Sequence, residues 1–190
     1  MNFSATKRPV GNRGNPPEAF LAELVTWGKA APEDIFAKND NRADIYAAVY
    51  GNLGPFVGIL CRRAVMLEVM RVHAGLESSW NWNEGVDRGN ARSQRDRRAE
   101  ETGIFQVSFD SEALSHAGML PFAVAHDIVT PETFIPAMKS NHALALEYYA
   151  RLVRISIGWA GPLISGKINP FLSRAAVTEF MMLLATEVSA

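Results

Sequence analysis

Residues 56–77 form the one segment whose apolar side chains leave almost no polar face. Phe56, Val57, Ile59, Leu60, Ala64, Val65, Leu67, Val69, Met70, Val72 and Leu76 take up most of a helical circumference. A helix that is apolar nearly all round is a buried one, so the rest of the chain must be arranged to enclose it. The material suffices: 48% of the 190 residues belong to the hydrophobic set and 21% are charged. A domain of this length buries roughly 70% of its unfolded surface and needs no covalent staple. Cys61 is the only cysteine, so no internal disulfide exists, and such a chain suits a reducing compartment.

The flanking pattern is helical too. Residues 1–14 are polar, with Gly11 and Gly14, and read as a flexible N-terminal arm ahead of a single domain over 15–190. Asn15-Pro16-Pro17-Glu18 carries start signals, with Asn15 as cap and Glu18 reaching back, and Phe20, Leu21, Leu24 and Val25 form a stripe that Gly28 ends or weakens. A short helix is expected over 42–50. Further helices are expected after Ser111, after Thr130-Pro131-Glu132, over 141–157 and from Ser173, the last with Val177, Phe180, Met181, Leu184 and Val188 in phase. Residues 80–102 lose the pattern and form a long excursion, of the kind that often carries function. The expected class is therefore mostly α, with a central buried helix and a small loop or β-hairpin lobe.

Nineteen basic residues against twenty acidic ones give a formal charge of −1, without the overall field that draws a chain onto nucleic acid or anionic lipid. The start of the chain shows no apolar signal region, and residues 155–164 are interrupted by Gly158, Gly161 and Pro162, far short of a membrane span. A soluble protein with neither nucleic-acid binding nor membrane insertion is expected. His73, His116, His126 and His142 lack ligand spacing, so no metal and no cofactor is implied.

The chemistry concentrates at Glu77, where the apolar helix gives way to polar Ser78-Ser79. A helix C-terminus carries negative partial charge and apolar walls disfavour an ionised carboxylate. A carboxylic acid in such surroundings suits protonation of a leaving oxygen in glycosidic cleavage. Twenty-nine positions after Glu77, Gln106 closes the run Gly103-Ile104-Phe105-Gln106: a permissive glycine, two apolar residues that exclude water, and an amide that both donates and accepts.

Glu-Ser-Ser followed by Gly-Ile-Phe-Gln resembles the lysozyme-like superfamily of soluble lytic transglycosylases and goose-type lysozymes. The run Asn141 to Tyr149 resembles that group's following helix, and Trp159-Ala160-Gly161-Pro162 is a looser echo of its Tyr-Asn-Ala-Gly-Pro; together the similarity covers about residues 65–162. The resemblance implies a lysozyme-like fold and cleavage of peptidoglycan between N-acetylmuramic acid and N-acetylglucosamine. It implies Glu77 as catalytic acid, Ser78, Gly103 and Gln106 as substrate-binding residues, and Tyr148 or Tyr149 as the cleft tyrosine. Asp87, in Asp87-Arg88-Gly89-Asn90, resembles a goose-type aspartate that positions water, with Glu101 and Asp110 as alternative second carboxylates. The sequence departs from the group in the charged insertion at 91–101 and in Ser108, which stands where goose-type enzymes have another aspartate. Hydrolase and transglycosylase routes both stay open, the latter using Glu77 as acid and then base.

Each assignment has a plainer counterpart. Glu77 alone reads as a solvated helix end, Asp87 as turn chemistry, Asp110 as a helix cap, and Glu100 and Glu101 as balance for Arg95, Arg97 and Arg98. His73 shares a helical face with Glu77, so a His–Glu pair is open, but packing is the favoured role. Trp80, Trp82 and Trp159 stand equally between sugar stacking and core cover. Arg88, Arg92, Arg95, Arg97 and Arg98 form the one basic cluster, which suits an anionic wall polymer or an acidic inhibitor if it rims the cleft. The missing signal and small size suggest an injected antibacterial effector, such as a type VI secretion muramidase acting in the periplasm of a target bacterium, with a cognate immunity protein as partner. The rival readings are a non-catalytic module that binds glycan or protein, and a chitinase or chitosanase.

Overall fold

A computed structural model describes residues 1–86, 88–111 and 116–186, with the side chains of 116 and 117 excluded. Nine α-helices are seen among them: α1 (Glu18–Ala30), α2 (Ile45–Leu53), α3 (Gly58–Ser78), α4 (Ala91–Arg95), α5 (His116–Ala125), α6 (Pro131–Ser140), α7 (His142–Ile155), α8 (Gly161–Ile164) and α9 (Arg174–Ala185). The mostly-α expectation holds. The excursion forms a loop lobe rather than a hairpin, since its pairing is limited to a single antiparallel bridge between Thr102 and Val107 among the described residues. Among those residues no helix is long and apolar enough to cross a membrane.

The central helix is α3, and every residue from 64 to 75 is buried. α9, α1 and α7 pack around it or one another. Gly28 does not end α1. A side chain there would meet Leu67 Cδ1 at 2.9 Å, so the glycine allows α1 to approach α3 closely. The capping expected at Asn15 does not form: α1 begins at Glu18 behind Pro17, without a side-chain cap. Elsewhere Asn141 and Ser173 accept from backbone N–H groups at their helix starts and Thr130 and Thr133 form a reciprocal capping box, whereas the short helix expected over 42–50 begins only at Ile45, behind Asp44 as its cap, and runs through Gly51 to Leu53. Val188, expected on the last helix, lies outside the described residues.

The interior of α3 also carries charge. Arg71 donates from Nε and Nη2 to both oxygens of Glu68 at 2.7 and 2.8 Å, and both side chains are fully buried. Ser173 N–H donates to the same carboxylate, while Arg71 also reaches the carbonyls of Arg8 and Phe171. These contacts offset the desolvation that a buried pair otherwise incurs, and they tie α3 to the start of α9 and to the N-terminal residues.

The first fourteen residues are anchored rather than free, with Phe3, Thr6 and Val10 buried. The Glu179 carboxylate accepts from the backbone of Ser4, Ala5 and Thr6 and from the hydroxyls of Ser4 and Thr6, at 2.6–3.1 Å. Burial works against the charge, but these hydrogen bonds outweigh it and hold the carboxyl at about 2. One charged side chain on α9 thus orders a segment that its own polarity would leave loose.

Candidate functional site

α3 ends abruptly. Ser79 and Trp80 both take left-handed backbone conformations, with φ of 54° and 61°. Trp80 folds back over Gly75, where a Cβ would lie 2.6 Å from the indole, and its Nε1 donates to the Arg71 carbonyl at 2.9 Å. The reversal leaves Glu77 at the lip of the helix with 24% of its side chain exposed. Trp80 is therefore core cover, not a sugar platform.

The same helix end is joined to the second motif. Ser78 Oγ sits 2.8 Å from the Ile104 carbonyl and 3.1 Å from the Ala74 carbonyl, positioned to donate to them. Residues 102–107 make a tight turn closed by the Thr102–Val107 bridge, with Gly103 at φ 70° and Gln106 at φ 48°. A side chain at Gly103 would meet the Met138 carbonyl at 2.8 Å, so glycine is required both for the conformation and for the approach of α6. Gln106 spends a side-chain N–H on the Gly103 carbonyl at 3.0 Å, which braces its own turn. Ile104 and Phe105 are buried, as the dry wall requires.

Glu77 has an organised partner. His73 Nε2 lies 3.1 Å from Glu77 Oε1, and His73 Nδ1 lies 2.8 Å from the Tyr149 hydroxyl. Both His73 and Tyr149 are fully buried. Burial, and then the charge of Glu77, hold the Tyr149 phenol well above its ordinary range, so it stays protonated. In the tautomer with the imidazole proton on Nε2, the Tyr149 O–H donates to Nδ1 and the Nε2–H faces Glu77. Phe105 stacks on Tyr149 at 3.9 Å and Trp159 packs edge-on at 6.0 Å, closing the cluster with aromatic walls. The His–Glu pair is thus present and built into the packing. Of the two tyrosines that the sequence offers, the contact of α7 with His73 on α3 selects Tyr149.

The remaining expected residues fall as follows. Tyr148 points away from Glu77, packing against Phe122 and Phe134, because neighbouring residues of a helix face different directions; only Tyr149 belongs to this site. Glu101 is partly buried, with its backbone N–H bonded to Ser93 Oγ at 3.1 Å. Asp87 lies outside the described residues. The Asp110 carboxylate accepts from Arg92 Nη2 and from Arg98 Nε, the latter at 3.1 Å, while the helix start after Ser111 that it is expected to cap lies outside the described residues. Trp82 stacks on His142 at 3.8 Å, remote from Glu77 in its contacts.

Beside the cluster lies a cavity of about 660 Å³ whose walls include Arg92, Asp96, Arg98, Ser108, Asp110 and Trp159. Trp159 is the shared wall, with its ring 6.1 Å from that of His73. Its buried indole N–H has no partner among the described residues, an uncommon state for an interior donor. No group of three or more potential metal-binding side chains occurs among the described residues. Comparisons with family models, curated proteins and solved structures return no match.

Proposed function

We propose that this chain cleaves the glycan strands of peptidoglycan at the bond between N-acetylmuramic acid and N-acetylglucosamine, with Glu77 as general acid. The observation that supports this most is the union of two motifs far apart in sequence. Ser78 bonds to Ile104, which sets the Gly103–Gln106 turn directly beside the Glu77 helix end. A partly exposed carboxyl, backed by a buried imidazole and aromatic walls, is suited to reach a glycosidic oxygen while water is kept from its inner side.

In this reading the Glu77 proton passes to the leaving oxygen as the bond from that oxygen to the anomeric carbon breaks. The carboxylate so formed accepts the His73 Nε2–H, while Tyr149 holds the ring in that tautomer. His73 and Tyr149 are positioning residues. The anomeric carbon is then captured by water, whose proton passes to a second carboxylate, Asp87 first among the candidates, or by the muramic acid hydroxyl, whose proton Glu77 takes up. Digestion of purified peptidoglycan, followed by mass spectrometry of the released muropeptides, tests the proposal. Reducing-end products identify the hydrolytic route and anhydro-muramyl products the internal one. No products from the well-folded native chain would overturn it in favour of a binding module.

A further inference from the structure

At the opposite end of α3 from Glu77 lies a second cavity, of about 1000 Å³, between the start of that helix, α2 and the loop over 38–44. Gly58 and Arg62 line it, and from Gly58 to Glu77 the helix rises roughly 28 Å, so the cavity stands apart from the acid and its aromatic wall. Its floor is fixed. Tyr46 is buried, and its O–H donates to the Arg62 carbonyl at 2.9 Å. The Arg62 guanidinium lies 3.6 Å over the Tyr46 ring and reaches the Phe36 and Ala37 carbonyls at 2.5 and 3.1 Å. Phe56 meets Tyr46 and Tyr50 edge-on at 5.5 and 5.6 Å, while Tyr50 keeps 57% of its surface exposed. The rim is held as well, since Asn41 donates to the Arg154 and Ile155 carbonyls at 2.8 Å and accepts from the Ala43 N–H at 3.0 Å.

The open groups on this rim are of both signs. Lys38, Asp40 and Arg42 are exposed and enter no ion pair among the described residues. Asn39 accepts the Asn41 N–H on its side-chain oxygen at 3.2 Å, and its amide also lines the cavity. A simple anion would meet Asp40 as well as the two cations, and an apolar ligand would leave all four polar side chains unanswered. Together with the exposed Tyr50 ring they match a sugar, which has an apolar C–H face for the ring and hydroxyl and acetamido groups that both donate and accept. We infer that this cavity is a second, non-catalytic glycan-binding site, which holds an uncleaved length of the polymer while Glu77 acts on another. The choice of polymer rests on the glycan-cleaving reading above. Two contacts on one strand make the rebinding of either an intramolecular event, which raises retention on an insoluble wall with no change at the acid.

The test has two readouts. Co-sedimentation with purified peptidoglycan sacculi is measured for the Glu77→Gln chain, so that binding is read apart from cleavage, alone and with Tyr50→Ala or Ala47→Leu added. Turnover by the two single variants is measured on sacculi and on soluble glycan fragments too short to reach from Glu77 to the cavity. Ala47 is an exposed α2 position on the cavity wall, so leucine there narrows the space while removing no side-chain contact, and circular dichroism checks both folds. Each variant is expected to weaken sedimentation roughly tenfold and to slow turnover of sacculi while leaving the short fragments unaffected. Sedimentation equal to that of the parent chain overturns the site and leaves glycan cleavage standing; a surface built for a protein partner gives this result. An equal loss on the short fragments also overturns it, because the cavity would then belong to the catalytic cleft. Products from neither substrate with the folded native chain remove the glycan-cleaving reading, and sedimentation still decides the site on its own.

Discussion

Replacing Tyr149 by Phe removes one oxygen atom and preserves the ring that stacks on Phe105 and packs against Trp159. What is lost is the 2.8 Å hydrogen bond to His73 Nδ1, between two fully buried side chains. Leaving a buried imidazole nitrogen without a partner costs about 1–3 kcal/mol. For a chain of this length a loss near 2 kcal/mol lowers Tm by roughly 4–8 °C. The pH dependence follows from the raised phenol, which burial first and the charge of Glu77 second keep protonated in the folded chain beyond the ordinary 10.0. Above about pH 10 the unfolded chain releases that proton while the folded chain keeps it, so the contribution is intact below that pH and is lost as pH rises further. The phenyl ring of the Tyr149→Phe variant has no such proton to lose, so the gap between the two chains narrows in alkali. Thermal melts followed by circular dichroism at neutral pH and above pH 10 measure both effects. In turnover, kcat falls with KM unchanged, because a positioning residue has been removed. A Tm within about 1 °C of native at neutral pH, or a gap that widens in alkali, would refute the proton assignment.

Glu68→Gln leaves the Arg71 guanidinium buried without its counter-charge, and urea unfolding is expected to show a loss of about 3–5 kcal/mol. Glu179→Gln destabilises by about 2 kcal/mol at neutral pH and speeds hydrogen exchange at Ser4–Thr6. Because the Glu179 carboxyl sits at about 2 against an ordinary 4.5, its contribution is present above pH 4.5 and lost as pH falls toward 2, so the native chain sheds stability in that window and the variant does not. Gly103→Ala forces a side chain into the left-handed region and against the Met138 carbonyl, at an expected cost of about 2 kcal/mol in the same urea assay.

The central helix, the stop at Ser78-Ser79 and most helix starts were legible because each rests on local chemistry: apolar coverage of a circumference, a capping hydroxyl or carboxylate, a left-handed turn. The pairing of Glu77 with His73 was legible as a spacing of four. What stayed hidden depends on distant segments meeting. Nothing local marks Tyr149 over Tyr148; the meeting of Tyr149 on α7 with His73 on α3 makes that choice. Residues 1–14 look loose by composition, yet the Glu179 carboxylate collects their backbone. No local pattern marks Asp110 as the residue on which Arg92 and Arg98 meet. Glu68 and Arg71 interrupt an apolar helix in sequence and satisfy each other in the interior.

The most direct measurement is the initial rate of peptidoglycan solubilisation by the native chain and by Glu77→Gln at matched folding. Gln keeps the size of the side chain and an oxygen for the His73 Nε2–H, so Tm should stay within about 2 °C of native. The account predicts that the rate falls at least about a hundredfold, the scale of a lost general acid. A folded Glu77→Gln chain that cleaves at the native rate would contradict it.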